Sequence, residues 1–165
     1  MKKEIATLAG GCFWGMEDLI RKLPGVLNTD VGYTGGNTDK PVYETVKTGR
    51  TGHAETLQVE FDADTLSFEN LLLYFYKIHD PTTEDQQGND IGSQYRSAIF
   101  YHNKEQKSVA ETVIARVNKS GAWKRPVATE VESTSEFFRA EVYHQDYLEK
   151  NPNGYTCHFE RKINF

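Results

Sequence analysis

Cys12 stands in the run GCFWG, residues 11–15, where Gly11 and Gly15 flank a thiol that has two large aromatic rings, Phe13 and Trp14, directly after it. The run follows a short apolar segment, residues 5–9, and precedes an amphipathic one, residues 16–23. A thiol at a strand-to-helix turn meets outward-pointing backbone N–H groups and the positive end of a helix dipole. That placement is expected to lower its pKa and make it a nucleophile. Aromatic walls beside it suit an apolar group, and glycines let a backbone approach a ligand closely. The competing reading is an inert core cysteine, because free cysteine is among the most buried residue types. Exposure separates the two.

A carboxylate is the second chemical group of interest. Residues 54–61 alternate, so Leu57, Val59 and Phe61 share one face, and Glu55 has their parity. A carboxyl pointed at an apolar face keeps its proton to higher pH, because the charged form is poorly solvated, and can serve as a general acid. If alternation fails at the strand's first turn, water reaches Glu55 instead. Tyr43 and Tyr95 lie in the two long loops of the chain, and Asp90 shares a loop with Tyr95 in QGNDIGSQYRS. Long loops inside a compact domain are often functional, and a tyrosine offers a hydroxyl donor on an apolar ring. Each has a bland alternative: a structural tyrosine among nine, and an Asx-type turn at Asp90 beside Asn89 and Gly88.

The only two cysteines, Cys12 and Cys157, lie near opposite ends. In a reducing compartment a transient catalytic disulfide is the usual exception to free thiols. The spacing excludes a CxxC motif and a compact zinc knuckle. Cys157 adjoins His158, but His53, His79, His102 and His144 have no ligand-like spacing with it, so no metal site is expected.

The elements that must position these groups are legible in order. At 165 residues the chain reads as one domain, 1–165, with residues 150–165 as a C-terminal tail. A net charge of −5 argues against a nucleic-acid or anionic-membrane surface as main partner. No apolar run reaches membrane-spanning length, and the N-terminus does not make a signal peptide, so a cytoplasmic protein is expected. Strands are expected at 5–9, 26–33, 54–61, 97–101 and 127–131. Helices are expected at 13–23, at 68–78 capped by Ser67, at 104–119 capped by Asn103, and at 137–149. The first six elements give β-α-β-β-α-β, a ferredoxin-like split unit. The fold class is therefore α+β: a mostly antiparallel sheet with packed helices, a C-terminal helix and a loosely held tail that carries Cys157.

Taken together, these segments resemble the A-type peptide methionine sulfoxide reductase family. GCFWG is similar to that family's signature around its nucleophile. The likeness continues through GYTGG at 32–36, PVYETV at 41–46, GHAE at 52–55, DPTT at 80–83, QGNDIGSQYRS at 87–97 and YHQDYL at 143–148. The resemblance implies a reductase for the S epimer of methionine sulfoxide, free or in proteins. It implies Cys12 as nucleophile, Glu55 as the acid that protonates the sulfoxide oxygen, and Tyr43 and Tyr95 as hydroxyls that bind that oxygen. Phe13 and Trp14 would form the pocket for the substrate's S-methyl group, and Asp90 would help organise the site. Cys157, in GYTCHF, resembles the resolving cysteine of members with one recycling thiol. Thioredoxin is implied as reductant, no cofactor is required, and a monomer is expected. Two rivals use the same residues: a thiol peroxidase or redox sensor built on the two cysteines, and a non-enzymatic binder of methionine-containing peptides.

Overall fold

A computed structural model describes residues 1–165. In chain order the elements are β1 (Lys3–Gly10), α1 (Phe13–Ile20), β2 (Val26–Thr34), α2 (Tyr43–Val46), β3 (Ala54–Asp62), α3 (Phe68–Ile78), β4 (Gln86–Gln87), β5 (Asp90–Ile91), a 3-10 turn (Ser93–Tyr95) and β6 (Ser97–Tyr101). They continue with α4 (Lys104–Ser120), β7 (Glu130–Ser133), β8 (Phe138–Arg139), a second 3-10 turn (Val142–His144) and α5 (Tyr147–Lys150).

Six strands form one sheet in the order β7-β6-β1-β3-β2-β8, all neighbours antiparallel except β6 and β7. The chain is thus α+β. β1 and β2 are separated by β3, and β3 and β6 by β1, so two β-α-β crossovers interleave. Each crossover helix buries an apolar stripe. Phe13, Met16 and Ile20 of α1 and Leu71, Leu72, Phe75 and Ile78 of α3 are at most 1% exposed and join Ala6, Leu8, Leu57, Val59 and Phe61 in one core. Both predicted caps form: Ser67 accepts from Asn70 N at 3.0 Å and Asn103 from Gln106 N at 2.8 Å, each worth about 1 kcal/mol. A small second cluster, Ala9, Ala54, Ala98 and Phe100, includes Ala54, whose parity on β3 is opposite to Leu57.

The register explains where chemistry can collect. Leu8 lies opposite Leu57, two residues short of the end of β1 on one strand and two residues after Glu55 on the other. Tyr33 of β2 pairs with Glu55 from the other side, and Gly10 of β1 pairs with Ser97 just after Tyr95. One end of the sheet therefore gathers residues 10–13, 55 and 95, which are far apart in sequence.

Three expectations need correction. No continuous helix spans 137–149; only a 3-10 turn and the short α5 fall there. Phe138 and Arg139 instead pair with Tyr33 and Gly32 at the sheet edge, and Asp146 has φ +53°, which no α-helix passes through. Gln145 spends its side chain on Val31 N (2.9 Å), Val31 O (2.9 Å) and Ala140 O (3.0 Å), so tertiary bonds replace the helical ladder. The strand expected at 127–131 lies at Glu130–Ser133, where parallel pairing with β6 fixes it. The tail is not loose: His158 is buried and bonds Gly10 O at 2.7 Å, Arg161 N bonds Lys77 O at 3.0 Å, and Arg116 Nη2 bonds Phe165 O at 2.8 Å.

Candidate active site

β1 ends at Gly10, Gly11 turns the chain at φ +99°, and Cys12 is the N-cap of α1. A cleft of about 110 Å³, open to solvent, is lined by Cys12, Phe13, Trp14, Tyr43, Glu55, Asp90, Tyr95 and Tyr155. Seven of the eight residues expected from sequence thus converge on one cleft. The eighth, Cys157, sits beside it: its Sγ lies 3.7 Å from Asp90 Oδ2, while Tyr155 Oη donates to Asp90 Oδ1 at 3.2 Å. Asp90 is the hinge between the two sulfur neighbourhoods. Tyr155 was not expected; its place two residues before Cys157 was the signal available.

Glu55 is 2% exposed, on the buried parity of β3. Phe13 N–H donates to its Oε1 at 3.2 Å, which favours the carboxylate, but burial wins and pushes the pKa up to about 8. The group is therefore a protonated acid at neutral pH. Tyr43 and Tyr95 also hold their protons to higher pH than usual, first because burial opposes the phenolate and then because Glu55 lies near. Both hydroxyls are donors.

Cys12 corrects the expectation of a lowered pKa. The helix N-terminus does act, since Trp14 N–H points at the sulfur, but burial at 7% exposure is the larger effect and raises the thiol pKa well above its usual value. A one-turn amide contribution loses to desolvation. The resting sulfur is a largely buried, protonated thiol on the cleft wall.

The flanking glycines also have a different reason from the one expected. A Cβ on Gly15 would collide with His158 Nδ1 and lie 2.6 Å from Thr156 Oγ1, and one on Gly11 would lie 2.6 Å from Gln87 Cγ. They make room for the tail and for Gln87, not for a ligand.

A second layer fixes the aromatic wall. Trp14 stacks on Tyr147 (3.8 Å between ring centroids, 8° between planes), and its Nε1–H donates to His144 Nδ1 at 2.9 Å. Glu17, 1% exposed, accepts from Asp146 N (2.8 Å) and Thr29 Oγ1 (2.8 Å). Glu141 accepts from Tyr43 N (3.0 Å) and Tyr33 Oη (2.9 Å). Sequence reasoning missed Glu17, Glu141 and His144. Glu17, three residues before the buried Ile20 and next to Met16, could have been flagged as a carboxylate near an apolar stripe. His53 is a buried structural histidine, bonded to Gly36 N and Thr38 O. Among the titratable residues no group of three or more could hold a metal ion.

Comparison with known proteins places this arrangement. Residues 4–164 match the profile of a family described as peptide methionine sulfoxide reductase. A relative named peptide methionine sulfoxide reductase MsrA, from Nocardia farcinica, is 56% identical over 156 residues, covering 94% of this chain and 89% of its own. The crystal structure of reduced Mxr1 from Saccharomyces cerevisiae is 37% identical, with a TM-score of 0.91, over 98% of this chain and 93% of that one. The same yeast protein in complex with Trx2 is 26% identical in that match, with a TM-score of 0.65, over 98% of this chain and 91% of that one.

Proposed function

The chain belongs to the peptide methionine sulfoxide reductase family, and on that premise we propose how its residues carry the reaction. It is an oxidoreductase, a peptide-methionine (S)-S-oxide reductase, that returns methionine sulfoxide to methionine through thioredoxin-linked cysteine chemistry. The observation that supports the residue roles is a protonated carboxyl, Glu55, buried in the cleft that also holds Cys12, Phe13 and Trp14.

A sulfoxide carries a polarised S–O bond beside an apolar methyl group. Phe13 and Trp14 take the methyl, while the Tyr43 and Tyr95 hydroxyls donate to the oxygen. That assignment of sides fixes which sulfur epimer can face Cys12. Glu55 passes its proton to the sulfoxide oxygen, and the sulfur becomes electrophilic. Cys12 attacks that sulfur, and its own proton restores the Glu55 carboxyl. This exchange removes the need for a resting thiolate: the thiol loses its proton only as the S–S contact forms. The hydroxyl then passes from the substrate sulfur to Cys12 as the transient S–S bond breaks, which leaves Cys12 as a sulfenic acid and releases methionine, so the substrate sulfur gains two electrons and Cys12 loses two. Cys157 then attacks Cys12 sulfur. The sulfenic hydroxyl and the Cys157 proton depart as water, and a Cys12–Cys157 disulfide remains. A dithiol reductant reopens it by exchange, and thioredoxin is the proposed partner, as the yeast relative's complex with Trx2 supports. Asp90 accepts from Tyr155 and lies at Cys157, so it orients the resolving side of the cleft.

The thiol-peroxidase reading leaves the aromatic wall and the buried acid without a purpose, and the family does not support it. Residues 1–165 act as one catalytic domain. No helix is long and apolar enough to cross a membrane; the cytoplasm is the proposed location, because it supplies the reduced dithiol that recycling consumes.

The test is a single-turnover measurement with Glu55→Gln, which keeps shape and burial but has no carboxylic proton. The methionine-forming step should slow by about 10²–10⁴-fold. A wild-type rate removes Glu55 from the acid role.

A further inference from the structure

The tail that carries Cys157 is held by one buried side chain. His158 is 7% exposed, and its Nε2 lies 2.7 Å from Gly10 O. A carbonyl only accepts, so Nε2 carries the hydrogen and Nδ1 is the bare nitrogen. His158 N in turn bonds Thr156 Oγ1 at 3.1 Å, which tightens the turn that presents Cys157. The seat for this ring is cut into the nucleophile's own loop: the missing side chain at Gly15 is what admits Nδ1 and Thr156 Oγ1. Gly10 is two residues before Cys12, so the tail is fastened within the turn that carries the attacking sulfur. Nδ1 lies 3.9 Å from Cys157 Sγ, and Asp90 Oδ2 lies 3.7 Å from the same atom on another element.

We infer that His158 is a positioning residue for the second half of the reaction: it pins the tail to Gly10 so that Cys157 stays within reach of the Cys12 sulfenic acid. The inference deepens the proposed function and rests on Cys157 being the resolving thiol. The physical reason is effective concentration. A thiol on a tethered turn meets its partner far more often than one on a free chain end. The step itself needs no further reactant: the S–O bond of the sulfenic acid breaks, the S–S bond forms, and the hydroxyl leaves as water with the Cys157 proton. Burial lowers the pKa of His158 to about 4, so the ring stays neutral and the anchor holds across the physiological range.

The anchor acts after methionine has formed, which makes it separable by kinetics. Rapid mixing with methionine sulfoxide, without reductant, would follow methionine release, loss of the two free thiols, and trapping of sulfenic acid by a dicarbonyl probe. His158→Ala should release one methionine per chain and lose its first thiol at the wild-type rate, yet lose its second thiol about 10- to 100-fold more slowly and give trappable sulfenic acid. His158→Gln, whose amide N–H can reach Gly10 O, should recover much of the thiol-loss rate. A merely structural histidine would lower thermal stability without splitting the two rates. Cys157→Ser is the control for the underlying reading. If it accumulates sulfenic acid while His158→Ala closes its disulfide like wild type, the anchor is overturned and the resolving role stands. If Cys157→Ser, which keeps only the Cys12 thiol, releases methionine but gives no trappable sulfenic acid, the resolving role falls and the anchor falls with it. Should His158→Ala not fold, an unaltered His158→Gln profile together with a slowed Gly15→Ala profile supports the seat; disulfide closure at the wild-type rate in folded Gly15→Ala overturns it.

Discussion

At the scale of single residues, the cleft separates two proton holders that a simpler reading would have ionised. Cys12 and Glu55 are each neutral near pH 7 because burial outweighs the helix amide at the one and the Phe13 amide at the other. A site of that kind predicts a definite pH response. The rate of the chemical step should fall as pH rises through about 8, where Glu55 loses its proton, and this descending limb should vanish in Glu55→Gln. A pre-steady-state pH profile checks it, and a descending limb retained unchanged in the variant would assign it elsewhere. Cys12→Ser should form no methionine even in one turnover. Cys157→Ser should form one equivalent and then stop under thioredoxin-driven cycling; continued cycling would point to another route of resolution.

At the scale of elements, the segment between β8 and α5 does what an ordinary helix could not. Its backbone breaks at Asp146, and three side chains turn outward from the break to separate tasks: Gln145 to β2, His144 and Tyr147 to Trp14. Trp14, a lining residue of the cleft, is thereby held by a stack and a hydrogen bond. Tyr147→Ala should remove the stack, worth about 0.5–1.5 kcal/mol, and raise KM for the sulfoxide about 2- to 10-fold with little change in kcat. Steady-state kinetics with a small sulfoxide reads this directly; a fall in kcat at constant KM would mean that Tyr147 serves the chemical step instead.

At the scale of the whole molecule, buried titratable groups tie stability to pH from both sides. Glu17 sits at about 7 and Glu55 at about 8, each raised mainly by burial from the carboxylate range. In the folded chain they keep protons that the unfolded chain has already released. Their contribution is whole below about pH 4.5 and is lost as pH rises through 7 and 8. His79 and His158, lowered by burial to about 3 and about 4, act in the opposite sense: their contribution is present above about 6.5 and is lost as pH falls. Glu17→Gln removes one of the two carboxyl terms. Its Tm, measured relative to wild type, should therefore be higher at pH 8 than at pH 5. A constant difference would show that Glu17 titrates alike in the folded and unfolded states.

The sequence by itself determined the strand and helix periods, both helix caps, and the buried parity of Glu55, because alternation, 3.6-residue spacing and capping chemistry are local and need no distant partner. It also carried the motifs that place Cys12, Tyr43, Tyr95 and Asp90 in one family pattern. Only the tertiary structure decided what those residues experience. The sign of the Cys12 pKa shift depends on how much water the packed cleft admits. The purpose of Gly15 depends on a histidine 143 positions away. The end of the chain is a strap, not a frayed tail, and the segment before it is an irregular loop, because hydrogen bonds to Gly10 and Val31 outweigh local helix propensity. Such long-range pairings leave no periodic trace along the chain; they exist only once the sheet has brought its strands together.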